Sequence, residues 1–234
     1  MIFYASECNF STNSYTLSES ESKHCIKVLR KTIGNTIEII NGMGLQLTCK
    51  IIDDHYKRCK VEVISRKEHP NNPNHIHIAM AIPKSGERLE WFMEKATEIG
   101  ISEITPLICR YSERNKFNYQ RSIKILVSAM KQSMRYRLPI INYPENFKDY
   151  IISKNQDNIN SFIAICSDSN INLLKKKLIK GNDSQVMIGP EGGFSKTEIN
   201  LAKKAKFTTV SLGNNRLRTE TAGVVVCSIF KIIN

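Results

Sequence analysis

The segment Val186–Ser195, with the sequence VMIGPEGGFS, is the part of the chain best suited to bind a ligand through its backbone. An apolar run leads into a turn with three glycines, which permit positive φ and the close approach of a bound molecule. Ser195 and Glu198 have the spacing of a capping box, so a helix is predicted to begin there. An ordinary strand-to-helix turn is the alternative interpretation. Neither GxGxxG nor the P-loop pattern occurs, which disfavours dinucleotide binding of the Rossmann type and P-loop hydrolysis.

A second segment of the same design follows at Ser211–Gly223, with the sequence SLGNNRLRTETAG. It also ends an apolar run, passes through a turn and leads into a predicted helix. In open α/β sheets ligands bind at the carboxyl ends of the strands, so both segments are expected on one rim of the sheet. Together they are predicted to form one pocket.

The elements that position these two segments begin at residue 75, where strand and helix patterns start to alternate. Such alternation predicts an α/β domain over residues 75–234, with a mostly parallel sheet covered by helices. The predicted strand–helix pairs are 75–82 with 88–99, 103–109 with 121–134, 161–166 with 171–179, 185–188 with 197–205, and 208–212 with 221–232.

Residues 1–68 have a different pattern and are predicted to form a small β-domain. Short β-rich runs lie between Thr36 and Ser65, and the sequence NGMG at 41–44 has the composition of a hairpin turn. Residues 69–74, HPNNPN, contain two prolines and no periodicity, which predicts a linker.

The charge of the whole chain favours a polyanionic partner. Lys and Arg outnumber Asp and Glu by 34 to 22, which gives a net charge of +12 and a pI near 9.4. A charge of this size favours nucleic acid, because binding releases the counterions of the phosphates. A coding bias toward Lys, Asn and Ile explains the charge alone equally well.

Cysteine, histidine and hydropathy patterns exclude several classes of protein. The seven cysteines are odd in number and form no CxxC, which predicts reduced thiols rather than disulfides or a zinc site. His75 and His77 share one strand face, but two ligands without a third make a poor metal site, so we expect no metal and interpret this as the edge of a strand. No apolar run reaches the ~20 residues of a membrane helix and no secretory signal is visible, so a cytoplasmic protein is expected.

The sequences GPEGGFS and LGNNRLRTETAG resemble the paired signature of the SPOUT methyltransferases, specifically of the family that methylates N3 of a uridine in 16S ribosomal RNA. His24–Arg30, HCIKVLR, is similar to the HxxxVLR element of that family's PUA-like amino-terminal domain, and Glu87–Gly100 also matches. The resemblance thus covers nearly the whole chain. It implies a trefoil-knotted α/β domain behind a PUA-like β-barrel, a homodimer, and S-adenosyl-L-methionine as the cofactor. The implied substrate is 16S rRNA within the small ribosomal subunit.

The resemblance also implies which residues form the site. The implied cofactor-binding positions are Cys166, Ser167, Ile188, Gly189, Glu191, Gly192, Gly193, Ser211, Leu212, Gly213, Leu217, Arg218 and Thr221. For RNA phosphates, Arg30 and Arg114 match family positions, and Lys84 and Arg135 are further candidates with a solvated helix surface as the alternative. The family's EQSGR is KQSMR at 131–135 here, with Lys131 for Glu and Met134 for Gly, a departure that bears on RNA contacts at this segment.

Methylation of N3 requires the uracil imide to lose its proton, which leaves negative charge on the uracil oxygens. Arg218, beside the second segment, is the predicted stabilising group, and Glu191 and Glu220 are the candidate proton acceptors. The alternatives are a structural role for Arg218 at the helix entrance, and ribose binding or helix capping for the two carboxylates. The reaction needs no covalent nucleophile.

Two other functions fit parts of the sequence. A non-catalytic RNA-binding protein would have the charge and the β-domain, but it would not need two glycine-rich segments. A transfer-RNA ribose methyltransferase would keep the cofactor and change the target, but the amino-terminal domain and Glu87–Gly100 argue against it. Affinity for S-adenosylmethionine tests the first alternative, and nucleoside mass spectrometry tests the second.

Overall fold

The computed structural model describes residues 2–153, 159–166 and 172–234. These residues form two compact units. The first unit combines the chain up to Asn71 with Met130–Leu138, and the second combines Asn72–Ala129 with Pro139–Asn234. The chain therefore contributes to the first unit twice, and the second contribution was not predicted.

The first unit is built around a β-sheet. Its strands are β1 (Ile2–Tyr4), β2 (Ser14–Thr16), β3 (Thr36–Ile40), β4 (Leu45–Asp53) and β5 (Lys60–Glu68). They pair in the order β1-β3-β4-β5-β2, with β1 parallel to β3 and the other pairs antiparallel. Buried and less buried side chains alternate along β4, because successive residues of a strand point to opposite faces. Helix α1 (Glu19–Lys23) continues into a π-helical turn (His24–Val28), whose Cys25 packs into the same core.

Arg137 binds residues 130–138 to the rest of the first unit. Its guanidinium donates hydrogen bonds to the carbonyl oxygens of Met43 (2.6 Å), His69 (2.7 Å) and Pro70 (3.3 Å). A guanidinium has donors in a fixed fork, and here they are used by backbone carbonyls. Arg137 is therefore committed to holding this segment in place.

The second unit alternates strands and helices as predicted. Its strands are β6 (Ile76–Ala81), β7 (Glu103–Ile108), β8 (Ile140–Ile141), β9 (Glu145–Asn146), β10 (Asn160–Ala164), β11 (Ser184–Ile188) and β12 (Thr208–Val210). The helices that accompany them are α2 (Gly86–Ile99), α3 (Tyr119–Gln132), α4 (Phe147–Ser153), α5 (Leu174–Lys177), α6 (Lys196–Lys204) and α7 (Thr219–Ile233). The strands pair in parallel in the order β12-β10-β11-β6-β7-β8, and β9 also pairs with β7. The predicted parallel sheet is confirmed.

A parallel sheet brings the carboxyl ends of its strands to one edge, which we call the carboxyl rim. The segments that form the rim are 82–86, 109–118, 142–144, 165–166, 189–195 and 211–218. The two glycine-rich segments follow β11 and β12, and β10 lies between these strands. Both segments are therefore on the rim, as predicted.

Strand β6 is an interior strand, because it pairs with β11 on one side and with β7 on the other. The strand begins at Ile76, so His75 and His77 lie at its start. His77 is buried, with Nε2 2.8 Å from Thr105 Oγ1, and the run IHIAMA is buried throughout, as a central parallel strand requires.

Among the described residues no cluster of three or more His, Cys, Asp or Glu is placed to hold a metal ion. Nor is any helix in the described part of the chain long and apolar enough to cross a membrane.

Helix α7 packs closely against α2, and Gly223 makes this approach possible. A Cβ at Gly223 would overlap the ring of Phe92, which is itself fully buried on α2. A larger residue at 223 would therefore push α7 away from α2.

Candidate functional site

The loop of residues 189–195 owes its shape to close packing at its glycines. A Cβ on Gly189 would lie 3.1 Å from the ring of Phe194, and a Cβ on Gly192 would lie 3.1 Å from the Cβ of Tyr111. Contacts this short are tighter than most that side chains make, so a larger residue would displace its neighbour. The loop consequently presents backbone rather than side chains at these positions.

The same loop leads into α6 through the predicted capping box, which is confirmed. Ser195 Oγ accepts a hydrogen bond from the Glu198 N–H (3.3 Å), and Glu198 Oε2 accepts one from the Ser195 N–H (2.8 Å). Glu198 Oε1 also accepts a hydrogen bond from the Arg110 N–H (2.8 Å). One buried carboxylate thus joins the loops that follow β7 and β11.

The second loop, residues 211–218, is bonded directly to the first. Arg216 Nη2 donates to the carbonyl oxygen of Glu191 (2.8 Å), and Thr219 Oγ1 donates to the carbonyl oxygen of Gly189 (3.0 Å). These bonds satisfy two backbone carbonyl groups of the glycine turn, which lie beyond the strand and make no β-sheet hydrogen bonds to the described residues. The structure therefore brings the two segments together, although 25 to 30 residues separate them in the chain.

The two loops and the end of β10 line a pocket of about 860 Å³ on the carboxyl rim. Small-molecule sites occupy about 300–1,000 Å³. The predicted cofactor-binding residues that line the pocket are Cys166, Ile188, Gly189, Glu191, Gly192, Gly193, Ser211, Leu212, Gly213, Leu217 and Arg218. Further lining residues are Arg88, Ala164, Ile165, Pro190, Phe194, Ile199, Asn215, Arg216, Thr219 and Ala222. Glu220 and Thr221 do not line it, and Ser167 lies outside the described residues.

Arg88 stands between two carboxylates beside the pocket. Its Nη1 is 3.5 Å from Glu191 Oε1, and its Nε is 3.7 Å from Glu220 Oε1. The Lys84 N–H also donates to Glu191 Oε1 (3.2 Å). Glu220 is buried, and among the described residues its Oε2 has no hydrogen-bond partner. Burying such an oxygen is costly, so the Glu220 carboxylate depends on the positive charge of Arg88.

Arg218 is the N-cap residue of α7 and differs from Arg137 in its contacts. Its backbone is extended, with φ −67° and ψ 154°, and its carbonyl oxygen accepts a hydrogen bond from the Ala222 N–H (2.8 Å). Its side chain is exposed and makes no hydrogen bond or ion pair with the residues that the structure describes. The guanidinium is therefore free to contact a ligand at the pocket.

The four predicted RNA-binding residues are divided between the two units. In the first unit, Arg30 is exposed at φ 54°, directly after the π-helical turn, and Arg135 is half-buried, so that desolvation lowers its pKa below the ordinary value. In the second unit, Lys84 is exposed before α2, and Arg114 lies against Gly86, where a Cβ would be 3.2 Å from its Nη2. The structure thus brings Lys84 and Arg114 close to the start of α2 and to the pocket loop.

The two departures from the family pattern both have structural consequences. Lys131 Nζ forms an ion pair with Glu21 Oε1 (2.7 Å), a contact that a glutamate at residue 131 would replace with repulsion. Met134 has φ 55°, the left-handed region that favours glycine, and its side chain is exposed. The chain therefore tolerates strain at residue 134 where the family usually has glycine.

The cysteine at the pocket differs in exposure from the cysteines of the core. Cys166 lines the pocket and is exposed, whereas the other six cysteines are buried. Burial raises the pKa of Cys8 to about 11, and that of Cys49 and of Cys59 to about 12. These thiols stay protonated near neutral pH, so Cys166 is the thiol that a reagent in solution reaches.

Sequence reasoning missed Arg88 and Thr219 as pocket residues. The usable signal for Arg88 was its position in the first turn of the helix that follows β6, since such turns lie on the carboxyl rim. The signal for Thr219 was weaker, because a hydroxyl at a helix start is usually a cap. Here it instead bonds to the other loop.

Two family models match this chain. One, described as an RNA methyltransferase domain, matches residues 70–231, and the other, described as an RNA methyltransferase PUA domain, matches residues 17–67. The first match covers more than half of the chain, so the protein belongs to the RNA methyltransferase family that this model describes. The predicted family, enzyme class and fold class, a SPOUT-type α/β domain preceded by a PUA-like domain, are confirmed.

Individual relatives agree with this family. "Ribosomal RNA small subunit methyltransferase E" of Buchnera aphidicola is 32% identical over 219 residues, 90% of this chain and 85% of the relative. A crystal structure of a candidate rRNA methyltransferase from Porphyromonas gingivalis has a TM-score of 0.92 and 32% identity, over 99% of this chain and 97% of the other. The small subunit methyltransferase E of Neisseria gonorrhoeae, crystallised with S-adenosyl methionine, has a TM-score of 0.87 and 25% identity, over 99% of this chain and 96% of the other.

Proposed function

We propose that this protein transfers a methyl group from S-adenosyl-L-methionine to N3 of a specific uridine in 16S ribosomal RNA of the small subunit. One observation carries the proposal: two loops bonded to each other line a pocket, and the Arg218 side chain at that pocket has no partner among the described residues. The names of the relatives support small-subunit rRNA as the substrate. The choice of N3 rests on the resemblance of the segment LGNNRLRTETAG to the uridine-N3 family.

The residues of the pocket fit S-adenosylmethionine. Ile165, Ile188 and Leu217 supply an apolar wall for a purine ring, and the glycine turn supplies backbone groups that hydrogen-bond polar atoms of a ligand. The Glu191 carboxylate complements a sulfonium charge. When bound, S-adenosylmethionine supplies an electrophilic methyl group.

The main catalytic contribution of the chain is alignment. The two loops hold one reactant in a fixed place, and a fixed near-attack geometry can lower the barrier by ~7 to 11 kcal/mol. Arg218 stabilises the negative charge that develops on the uracil oxygens, because its guanidinium has no competing partner among the described residues. No group of the chain needs to form a covalent bond.

Of the two candidate proton acceptors, Glu191 has the better position. It lines the pocket and its side chain is 34% exposed, whereas the side chain of Glu220 is 8% exposed and does not line the pocket. Glu191 thus accepts the N3 proton, directly or through water. Glu220, in turn, holds Arg88 in place beside Glu191.

Residues 1–68 serve as the RNA-binding β-domain, 69–74 as the linker and 75–234 as the catalytic domain. Arg30, Lys84, Arg114 and Arg135 contact phosphates, which position the RNA without reading its sequence. The target uridine is extruded from its stack to reach the pocket. Cys166, Ser167 and Ser211 complete the cofactor site together with the loop residues. The protein acts as a homodimer in the cytoplasm, where ribosomal subunits are found.

Methyl transfer to small subunits that lack the modification tests this function. Labelled S-adenosylmethionine and purified protein are incubated with such subunits, and the nucleosides are then separated by mass. We expect one labelled product, 3-methyluridine. A product methylated on the ribose, or label appearing in transfer RNA alone, would overturn the proposed substrate.

Protection of Cys166 tests the cofactor site separately. Maleimide labelling of the native protein followed by peptide mapping should modify Cys166 first, because the other cysteines are buried. S-adenosylmethionine at saturation should slow this labelling, while adenosine triphosphate at the same concentration should not. Equal labelling with and without S-adenosylmethionine would place the cofactor elsewhere.

A further inference from the structure

Three aromatic rings form a partly exposed cluster on the carboxyl rim that the proposed mechanism does not use. Tyr119 and Tyr143 are stacked, with ring centroids 4.5 Å apart and an interplanar angle of 12°. Phe117 meets Tyr119 edge-on at 6.4 Å. We call Phe117, Tyr119 and Tyr143 the aromatic ladder. Its outermost ring, Tyr143, is 68% exposed.

The ladder is on the same rim as the pocket. Phe117 belongs to segment 109–118 after β7, and Tyr143 belongs to segment 142–144 after β8. From β11, which carries the glycine loop, the sheet order runs through β6 and β7 to β8. Three strand spacings correspond to about 14 Å, so the ladder is within reach of a nucleotide near the one in the pocket.

The segment that links the pocket to the ladder is mostly basic. Tyr111 packs on Gly192 of the pocket loop, so segment 109–118 runs from the pocket to the ladder. This segment carries Arg110, Arg114 and Lys116 against one carboxylate, Glu113, which is paired with Lys84 at 2.8 Å. Such a surface is complementary to a polyanionic chain.

The chemistry of the ladder fits an unpaired nucleobase better than a structural role. Two parallel rings are already stacked, and one face of the outer ring remains open to solvent. Exposed aromatic rings beside cationic groups are the usual way in which proteins hold single-stranded RNA, because every base has a π-face. A methyltransferase that extrudes its target also has to hold the unpaired neighbours of that nucleotide.

We propose that an unpaired base next to the target uridine in the RNA stacks on Tyr143 and extends the ladder. The proposal rests on the proposed function, because it assumes an RNA substrate in the pocket. It adds a recognition element on the catalytic unit, separate from the β-domain. Stacking depends on the ring and not on the hydroxyl, so phenylalanine should replace Tyr143 without loss of RNA binding.

Steady-state kinetics with small subunits test the proposal. Tyr143→Ala should raise KM for the subunit about 5- to 150-fold, the range that one base–aromatic stack accounts for, with an unchanged Kd for S-adenosylmethionine. Tyr143→Phe should have the KM of the wild-type protein. Ile152→Ala, which also removes an exposed apolar side chain, in this case from α4, is the matched control and should have no effect.

The outcomes separate this inference from the proposed function. If the wild-type protein makes 3-methyluridine and Tyr143→Ala has an unchanged KM, the ladder does not bind RNA. A change in the self-association of the variant would not alter this conclusion. If the wild-type protein makes no product, the proposed function fails first. Ultraviolet cross-linking of wild-type protein to subunits, followed by peptide mapping, needs no variant; a cross-link at Tyr143 supports the proposal, and cross-links confined to other peptides overturn it.

Discussion

Two groups of polar side chains in the second unit differ in how completely their hydrogen bonds are formed. In the interior, Tyr150 Oη donates to Gln185 Oε1 (2.9 Å), and Gln185 Nε2 donates to Ser161 Oγ (2.7 Å). On the carboxyl rim, the Arg218 side chain has no partner among the described residues, and Glu220 Oε2 has none there either. The interior group is paired with itself, and the rim group is left with unused hydrogen-bonding capacity.

This difference indicates what each group is for. A buried polar group without a partner costs about 1–3 kcal/mol, so the interior group contributes to stability only while its pairs are complete. On the rim, the exposed Arg218 side chain is solvated until a ligand arrives, whereas the buried Glu220 carboxylate is compensated by the positive charge of Arg88. Substitutions in the interior should therefore change stability and leave chemistry intact, and substitutions on the rim should do the reverse.

The largest expected effect is at Arg218. Arg218→Ala should lower kcat about 10²- to 10³-fold, because it removes the charged donor that we propose stabilises the developing oxyanion. The Kd for S-adenosylmethionine and the free energy of unfolding should hardly change. Single-turnover methylation of small subunits, together with calorimetric titration of the cofactor, measures both. Lys231→Ala, another cation on α7, is the control; normal turnover in Arg218→Ala would contradict the catalytic role.

Tyr150, in the interior group, is expected to affect stability and not turnover. Tyr150→Phe should lower the free energy of unfolding by about 1–3 kcal/mol, because Gln185 Oε1 loses the donor that now satisfies it. The kcat of the folded variant should match that of the wild-type protein. Denaturant unfolding gives the stability, with the exposed Tyr143→Phe as control. A variant with full stability and lost activity would mean that the interior group belongs to the site.

A smaller effect is expected at Met134, which carries strain without belonging to the pocket. Met134→Gly should raise the free energy of unfolding by about 1 kcal/mol, because φ 55° costs about that much for a residue with a Cβ. Met43→Gly is the matched control, since both methionines are 63% exposed and Met43 does not have positive φ. Denaturant unfolding should show Met134→Gly above wild type and Met43→Gly below it.

The smallest effect concerns pH and His69, whose ring stacks on Tyr136 at 3.5 Å. Desolvation, together with Lys67 and Arg137, lowers the pKa of His69. The unfolded chain therefore takes up this proton at a higher pH than the folded chain, so acidification below about pH 6.5 destabilises the protein through this group. His69→Gln should show a smaller loss of unfolding free energy between pH 7.5 and 5.5; an equal loss would assign it to other groups.

The sequence predicted those parts of the molecule whose residues act locally. The glycine turn, the capping box of Ser195 and Glu198, and the alternation of strands and helices depend on neighbours in the chain, and all of them are present in the structure. The pocket followed from them, because two loops on one rim of a parallel sheet have to meet.

Other parts were missed because long-range contacts decide them. The short elements between Ile140 and Ser153 were not predicted: β8 and β9 have two residues each, too few for any periodicity, and they exist through pairing with β7. The grouping of residues 130–138 with the first unit depends on Arg137 and on carbonyls distant in the chain. The interior position of His77 likewise depends on which strands pair with β6.

The bonds from Arg216 and Thr219 to the first loop also determine when the pocket can exist during synthesis of the chain. The carbonyl oxygens of Glu191 and Gly189 emerge from the ribosome before the two side chains that bind them. A nascent chain that ends between the two loops has the glycine turn but not its partner. The pocket is therefore complete only after the start of α7 has been made.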